Sequence, residues 1–116
     1  MSITIYGIKA CDTMKKAFTW LDQQGIDYRF HDYKQAGAPE AALRRWIKQL
    51  GWETVINRRG TSWRKLPEAE RETMNAETAV QAALANPSLI KRPMLEKGKL
   101  LEPGFSPARY GEIFGK

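Results

Sequence analysis

The sequence predicts an α/β fold built on a four-stranded mixed sheet, and three observations carry that reading. A strand–helix–strand run fills about the first thirty residues, a hairpin followed by a helix fills the C-terminal end, and the stretch between them has helical periodicity. A strand, a helix and a second strand in so short a span make a βαβ unit, with parallel strands and a right-handed crossover. Adding the hairpin gives a mixed sheet with helices on both faces.

Ser2 to Tyr6 alternates and is rich in β-formers, which predicts the first strand, broken by Gly7. Met14, Ala17, Phe18 and Leu21 then repeat at i, i+3, i+4, i+7, the apolar stripe of a helix, which Gly25 stops. Asp27 to Tyr33, with aromatics at period two, is the second strand. "QAGAPE" is a loop, and Pro39 sits in the first turn of a helix striped by Leu43, Trp46, Ile47 and Leu50 and ended by Gly51. "NRRGTSWRKLPE" is basic and turn-rich. Glu68 to Met74 and Ala76 to Ala85 are two further short helices, the second closed by Asn86-Pro87. Met94 to Glu96 and Lys99 to Glu102 form a hairpin around Lys97-Gly98. Ser106 caps a last helix that has Pro107 at its first position and runs through Phe114. The order βαβ, helical block, ββα is a thioredoxin-like arrangement with a helical insertion at about residues 37–88.

A chain of 116 residues supports one core, so a single domain over residues 1–116 is expected. With 42% hydrophobic and 28% charged residues the composition excludes a disordered chain. A formal charge of +6 favours anionic partners without choosing among them; direct nucleic-acid binding is not expected. One cysteine excludes an intrachain disulfide and a cysteine-based zinc cage, and with His31 as the only histidine no metal is expected. "MSITIYGIK" lacks the layout of a signal peptide, and no apolar run has the length of a membrane span. The expectation is a cytoplasmic protein in a reducing compartment, without a membrane partner.

The one cysteine, Cys11, lies in "YGIKACDTMKKAFTWL", where the first strand gives way to the first helix. Backbone N–H groups and the helix dipole at such a terminus stabilise a thiolate, and Lys9, Lys15 and Lys16 add positive potential. A loop at the carboxyl end of a parallel strand is also where α/β sheets bind ligands. The pattern therefore points to a nucleophile, against the common alternative of a cysteine buried as a small hydrophobe. Position 14 is Met, so Cys11 has no Cys-x-x-Cys partner, and a turnover cycle needs an external thiol such as glutathione. Arg58 and Arg59 in the turn-rich segment, and Arg92 before Pro93, are arginine forks suited to carboxylates and oxyanions. Arg92-Pro93, leading into the hairpin, is a candidate cis bond. His31 reads as a structural strand residue. The tryptophans read as core, except Trp63, which sits among the basic residues.

The segments "YGIKACDTMKKAFTWL", "IDYRFHDYK", "LGWETVINRRGTSWRKL", "LIKRPML" and "GFSPARYGEIF" span almost the whole chain. Together they resemble the arsenate reductase ArsC/Spx family, and most of all its YffB-like branch. The resemblance implies a thioredoxin-like fold with a helical insertion, Cys11 as the nucleophile, Arg59 and Arg92 as anion-binding arginines, and Pro93 as the cis-proline of the substrate site. It implies a glutathione-dependent thiol reductase with glutathione as co-substrate and glutaredoxin as a candidate partner. Two departures argue against arsenate as the substrate. Glu102 stands where arsenate reductases of this type carry a third arginine, and "GIKA" lacks their histidine before the cysteine. Arsenate reduction and Spx-like binding to RNA polymerase stand as the alternatives. Met14 breaks the Cys-x-x-Cys switch usual in Spx, although polymerase binding does not require the second cysteine.

Overall fold

The computed structural model describes residues 2–116. The run ITIYG forms β1 (Ile3–Gly7), one residue past the break expected at Gly7. The glycine is kept in the strand because a methionine lies against it. A Cβ at position 7 would stand 2.7 Å from Met14 Cε and closer still to its Sδ. Helix α1 (Asp12–Gln23) follows and buries Met14, Ala17 and Leu21. It ends in a Schellman motif. The Ile26 N–H donates to Leu21 O, the Gly25 N–H donates to Asp22 O, and Gly25 takes φ +67°.

Strand β2 (Arg29–Asp32) is shorter than the span from Asp27 to Tyr33 read from its aromatics. It pairs in parallel with β1, Thr4 opposite Arg29 and Gly7 opposite Asp32, so β1 has no residue left to pair with Tyr33. The chain turns there into α2 (Tyr33–Ala36), where a strand end and a loop were expected. Helix α3 (Glu40–Leu50) follows with Pro39 as its N-cap. Three more single-turn helices come next: α4 (Trp52–Val55), α5 (Thr61–Arg64) and α6 (Glu68–Glu72). The first two fall in segments without helical periodicity, because one turn is too short to show it. Helix α7 (Ala76–Ala85) has the predicted bounds. Its capping box joins the Asn75 side chain to the Thr78 N–H and the Thr78 hydroxyl to the Asn75 N–H.

Strands β3 (Met94–Lys97) and β4 (Leu100–Pro103) form the hairpin. Its turn is Gly98-Lys99, one residue later than the sequence reading. Gly98 has φ +61°, and positive φ belongs only to glycines among the described residues. Glycine therefore takes the first central position, as a type II′ turn requires. Helix α8 (Pro107–Phe114) closes the chain, its Arg109 N–H donating to the Ser106 hydroxyl.

The sheet order is β2-β1-β3-β4, with β1 and β2 parallel and the other pairs antiparallel. Two compact units are present. One holds the sheet with α1 and α8, from residues up to Asp32 and from Arg92–Lys116; the other is Tyr33–Lys91. In the first, α1 and α8 share one face of the sheet, where Ile5, Met14, Ala17, Leu21, Leu95, Tyr110 and Ile113 form the core. In the second, α3 packs on α7, burying Leu43, Trp46 and Ile47 from one helix and Ala79, Val80 and Ala83 from the other.

Candidate active site

Cys11 is the N-cap of α1, in extended backbone at φ −80° and ψ 133°. Its carbonyl accepts the first helical hydrogen bond from the Lys15 N–H at 3.0 Å. Two features fix that start. The Cys11 N–H donates back to Ile8 O at 3.3 Å, and Met14, one turn in, lies fully buried against Gly7. Cys11 itself is half-buried and packs on the edge of the core.

The sulfur makes no regular cap hydrogen bond in its neutral form, as expected of a weak acceptor. Its anion is in a different position. Partial burial pushes the thiol up; the Met14 N–H, the Arg92 guanidinium, the Thr13 N–H and the Arg92 charge all pull it down, and the balance lies below the ordinary thiol value. Arg92 reaches the sulfur from the chain entering β3, where the Arg92-Pro93 peptide is cis. Pro93 is buried, and its carbonyl accepts from the Gly104 N–H at 2.8 Å. The first unit thus brings together Cys11, Arg92 and Pro93, three of the four residues picked out from the sequence.

Arg59, the fourth, belongs to the second unit. It sits in a tight loop after α4, its N–H donating to Asn57 Oδ1 at 3.2 Å and its carbonyl accepting from Arg64 Nη2 at 2.8 Å. The loop is tied down where the Asn57 N–H donates to Leu89 O and the Lys91 N–H donates to Val55 O, both at 2.8 Å. Arg58, Arg59 and Lys91 border a polar cleft of about 440 Å³ with Asn57 and one carboxylate, Glu53. Arg58 also lies over the Trp52 ring at 5.8 Å, and Trp52 stands 6.2 Å from Trp63. Both tryptophans are half-buried and Trp46 is fully buried.

His31 stands beside Tyr6 with ring centroids 5.2 Å apart. Their strand positions are paired, and Tyr6 alternates with core-facing Ile5, so both point to the sheet face opposite the core that Cys11 touches. Glu102, on β4, is ion-paired with Arg109 at 3.0 Å. Among the described residues no three His, Cys, Asp or Glu side chains are grouped to hold a metal ion, and no helix is long and apolar enough to cross a membrane.

A profile of the ArsC family matches residues 6–113. The chain belongs to the ArsC family. An uncharacterized protein of Haemophilus influenzae is 42% identical to it over 113 residues, which cover 97% of this chain and 98% of that one. The structure of a protein named YFFB matches with a TM-score of 0.92 at 50% identity, covering 96% of this chain and 97% of the other. An arsenate reductase (ArsC)-related protein from Brucella melitensis matches with a TM-score of 0.79 at 53% identity, covering 98% and 95%. The global transcriptional regulator Spx of Streptococcus pyogenes serotype M3 is 24% identical over 106 residues, 90% of this chain and 78% of the regulator. The thioredoxin-like α/β fold read from the sequence is the fold of these ArsC structures.

Sequence reasoning did not single out the two N–H groups of this ArsC-family chain that serve the sulfur, those of Thr13 and Met14. Their signal was available, since any N-cap faces the amides two and three residues on. It also passed over a groove of about 620 Å³ on the outer side of α1, walled by Trp20 and Phe105. Trp20 lies outside the apolar stripe of its helix, and an aromatic off the stripe was the visible sign.

Proposed function

We propose that this ArsC-family chain is a glutathione-dependent thiol–disulfide reductase in which Cys11 is the nucleophile. One observation carries the reading. The thiol caps a helix with the Thr13 and Met14 amides and the Arg92 guanidinium turned on it, and it ionises below the ordinary thiol value despite partial burial. Arg92 binds a carboxylate of the glutathionyl group, the backbone at Pro93 borders the same substrate, and Arg59 is a further anion-binding arginine. The charge balance of +6 and the cleft around Arg59 support an anionic ligand.

In the forward step the Cys11 thiolate attacks the glutathionyl sulfur of a mixed disulfide. A Cys11–glutathione S–S bond forms, the original S–S bond breaks, and the substrate thiolate leaves and takes a proton from water. A free glutathione thiolate then attacks the Cys11-bound sulfur, releasing oxidised glutathione and restoring the Cys11 thiolate. The substrate sulfur is reduced and two glutathione sulfurs end oxidised. Glutaredoxin can replace free glutathione in the second step through the same exchange.

The test is to mix the protein with oxidised glutathione and follow the Cys11–glutathione adduct by mass against pH. The adduct is expected with a rate midpoint below the ordinary thiol value of about 8.5, and none with Cys11→Ser. A midpoint at or above that value would refute an activated thiol. Arsenate is expected to be a poor substrate, because Glu102 and its partner Arg109 form a closed pair; efficient arsenate turnover would favour the arsenate reductase reading.

A further inference from the structure

We infer that the groove on the outer side of α1 is the docking track for an acidic polypeptide segment of a protein substrate. The inference specifies the substrate class of the reductase proposed above and rests on that reading.

The groove begins at Thr13, whose N–H is turned on the Cys11 sulfur, and extends to Gln23 near the end of α1. Cys11 itself does not line the groove, but Thr13 is two residues along the chain from it, so a chain joined to the sulfur can run on into the groove; the groove's length follows from the helix rise, ~15 Å over those ten residues. An extended chain covers that distance in about four residues. Glutathione has one residue on either side of its cysteine, so neither arm fills the track; a polypeptide does.

The lining sets the chemistry. Lys15 and Lys16, both exposed, stand at the end nearer Cys11 in the chain, and among the described residues no carboxylate lines the groove. Half-buried Trp20 and half-buried Phe105 both line it. The Trp20 ring is held from below by Tyr110 at 5.7 Å and Phe114 at 5.9 Å, and Phe105 by Tyr110 at 4.6 Å, so the two walls stand on one fixed aromatic cluster. A carboxylate next to the reacting cysteine meets the lysines, and an aromatic or aliphatic side chain further along enters between the rings.

The test uses the tetrapeptide acetyl-Cys-Glu-Phe-Glu-amide with its cysteine activated as the 2-thiopyridyl disulfide, the same peptide with Lys for both Glu, and both in reversed order. The Cys11 thiolate attacks the peptide sulfur, the bond to the pyridyl sulfur breaks, and thiopyridone leaves with a proton from water, read by absorbance. The native chain should react about fivefold to tenfold faster with one of the acidic peptides than with its lysine counterpart, less so at high salt. Lys15→Glu with Lys16→Glu should abolish or invert that ratio. Because the readout is a ratio within each variant, altered thiol reactivity cancels. Gln23→Lys, at the far end, should raise the ratio for the tetrapeptide and leave it unchanged for a two-residue probe. Equal rates on acidic and basic peptides, with Cys11 reacting normally toward neutral hydroxyethyl disulfide, would overturn the groove and leave the thiol chemistry standing. An equal loss toward the pyridyl disulfide of glutathione in the double variant would assign the lysines to glutathione and also overturn the proposal. No reaction with any disulfide would remove both readings at once.

Discussion

At the residue scale the central fact is the placing of one sulfur. A cysteine in the body of a helix would meet amides already bonded to carbonyls one turn back. At the N-cap it meets amides that no carbonyl satisfies, and Arg92 arrives from β3 to add a full charge. The sign of the pH effect on stability follows. The folded thiol ionises below its unfolded counterpart, so the thiolate stabilises the fold fully above the unfolded pKa, and this contribution is lost as pH falls through the folded one. Unfolding free energy measured by denaturant should therefore show native protein gaining on Cys11→Ser as pH rises from about 6 to about 9. A gap independent of pH would mean that the amides and Arg92 leave the ionisation unshifted. Arg92→Ala should shrink the pH-dependent part, since two of the four lowering influences come from that side chain.

At the scale of elements, the start of α1 is set by a contact between a glycine and a methionine. Gly7 ends β1 without a side chain, Met14 fills the space, and Cys11 lies in the short connection between them. Gly7→Ala should cost ~1–3 kcal/mol in denaturant unfolding, as overpacking in a filled core does. It should also move the Cys11 alkylation midpoint toward the ordinary thiol value, because the helix terminus shifts. A loss below about 0.5 kcal/mol with an unchanged midpoint would show that Met14 yields freely and does not position the thiol. Element boundaries also show where sequence pattern gives way to pairing. Both β2 and the hairpin differ from the reading by periodicity, and in each case the neighbour decides. β1 ends before Tyr33 can pair, and a type II′ turn moves Gly98 to its first central position.

At the scale of the whole molecule, Cys11 and Arg92 belong to one compact unit and Arg59 to the other, so the role proposed for Arg59 is tested by itself. Arg59 is exposed and held through its backbone, so Arg59→Ala should leave the melting temperature nearly unchanged. It should slow reaction with oxidised glutathione by roughly ten- to a hundredfold, the worth of one charge-assisted contact of about 1.5–3 kcal/mol, and slow a neutral alkylating agent far less. Equal slowing of both reagents would remove Arg59 from ligand binding. The Spx relative supplies the rival reading, in which an outer surface binds RNA polymerase and Cys11 is dispensable. Polymerase retained by Cys11→Ser, in a protein without disulfide exchange, would decide for that reading.

The sequence by itself determined the element order, the mixed sheet and the residue proposed as the nucleophile. Those are local signals: period-two and period-3.6 patterns, Gly25 and Ser106 as helix punctuation, and a thiol placed just before an apolar stripe. It also marked Arg92 and Pro93, because an arginine before a proline at a strand entry is unusual enough to notice. Only the tertiary structure decided what stands next to the sulfur. Arg92 lies 81 residues from Cys11 in the chain and reaches it because β1 and β3 are antiparallel neighbours, with Tyr6 paired to Met94. The groove is of the same kind. Trp20 on α1 and Phe105 just before α8 line one groove because α1 and α8 cover one face of the sheet, and no pattern within either segment records the other. Periodicity reports which side of an element is buried; which distant residue meets it is fixed by strand pairing and core packing.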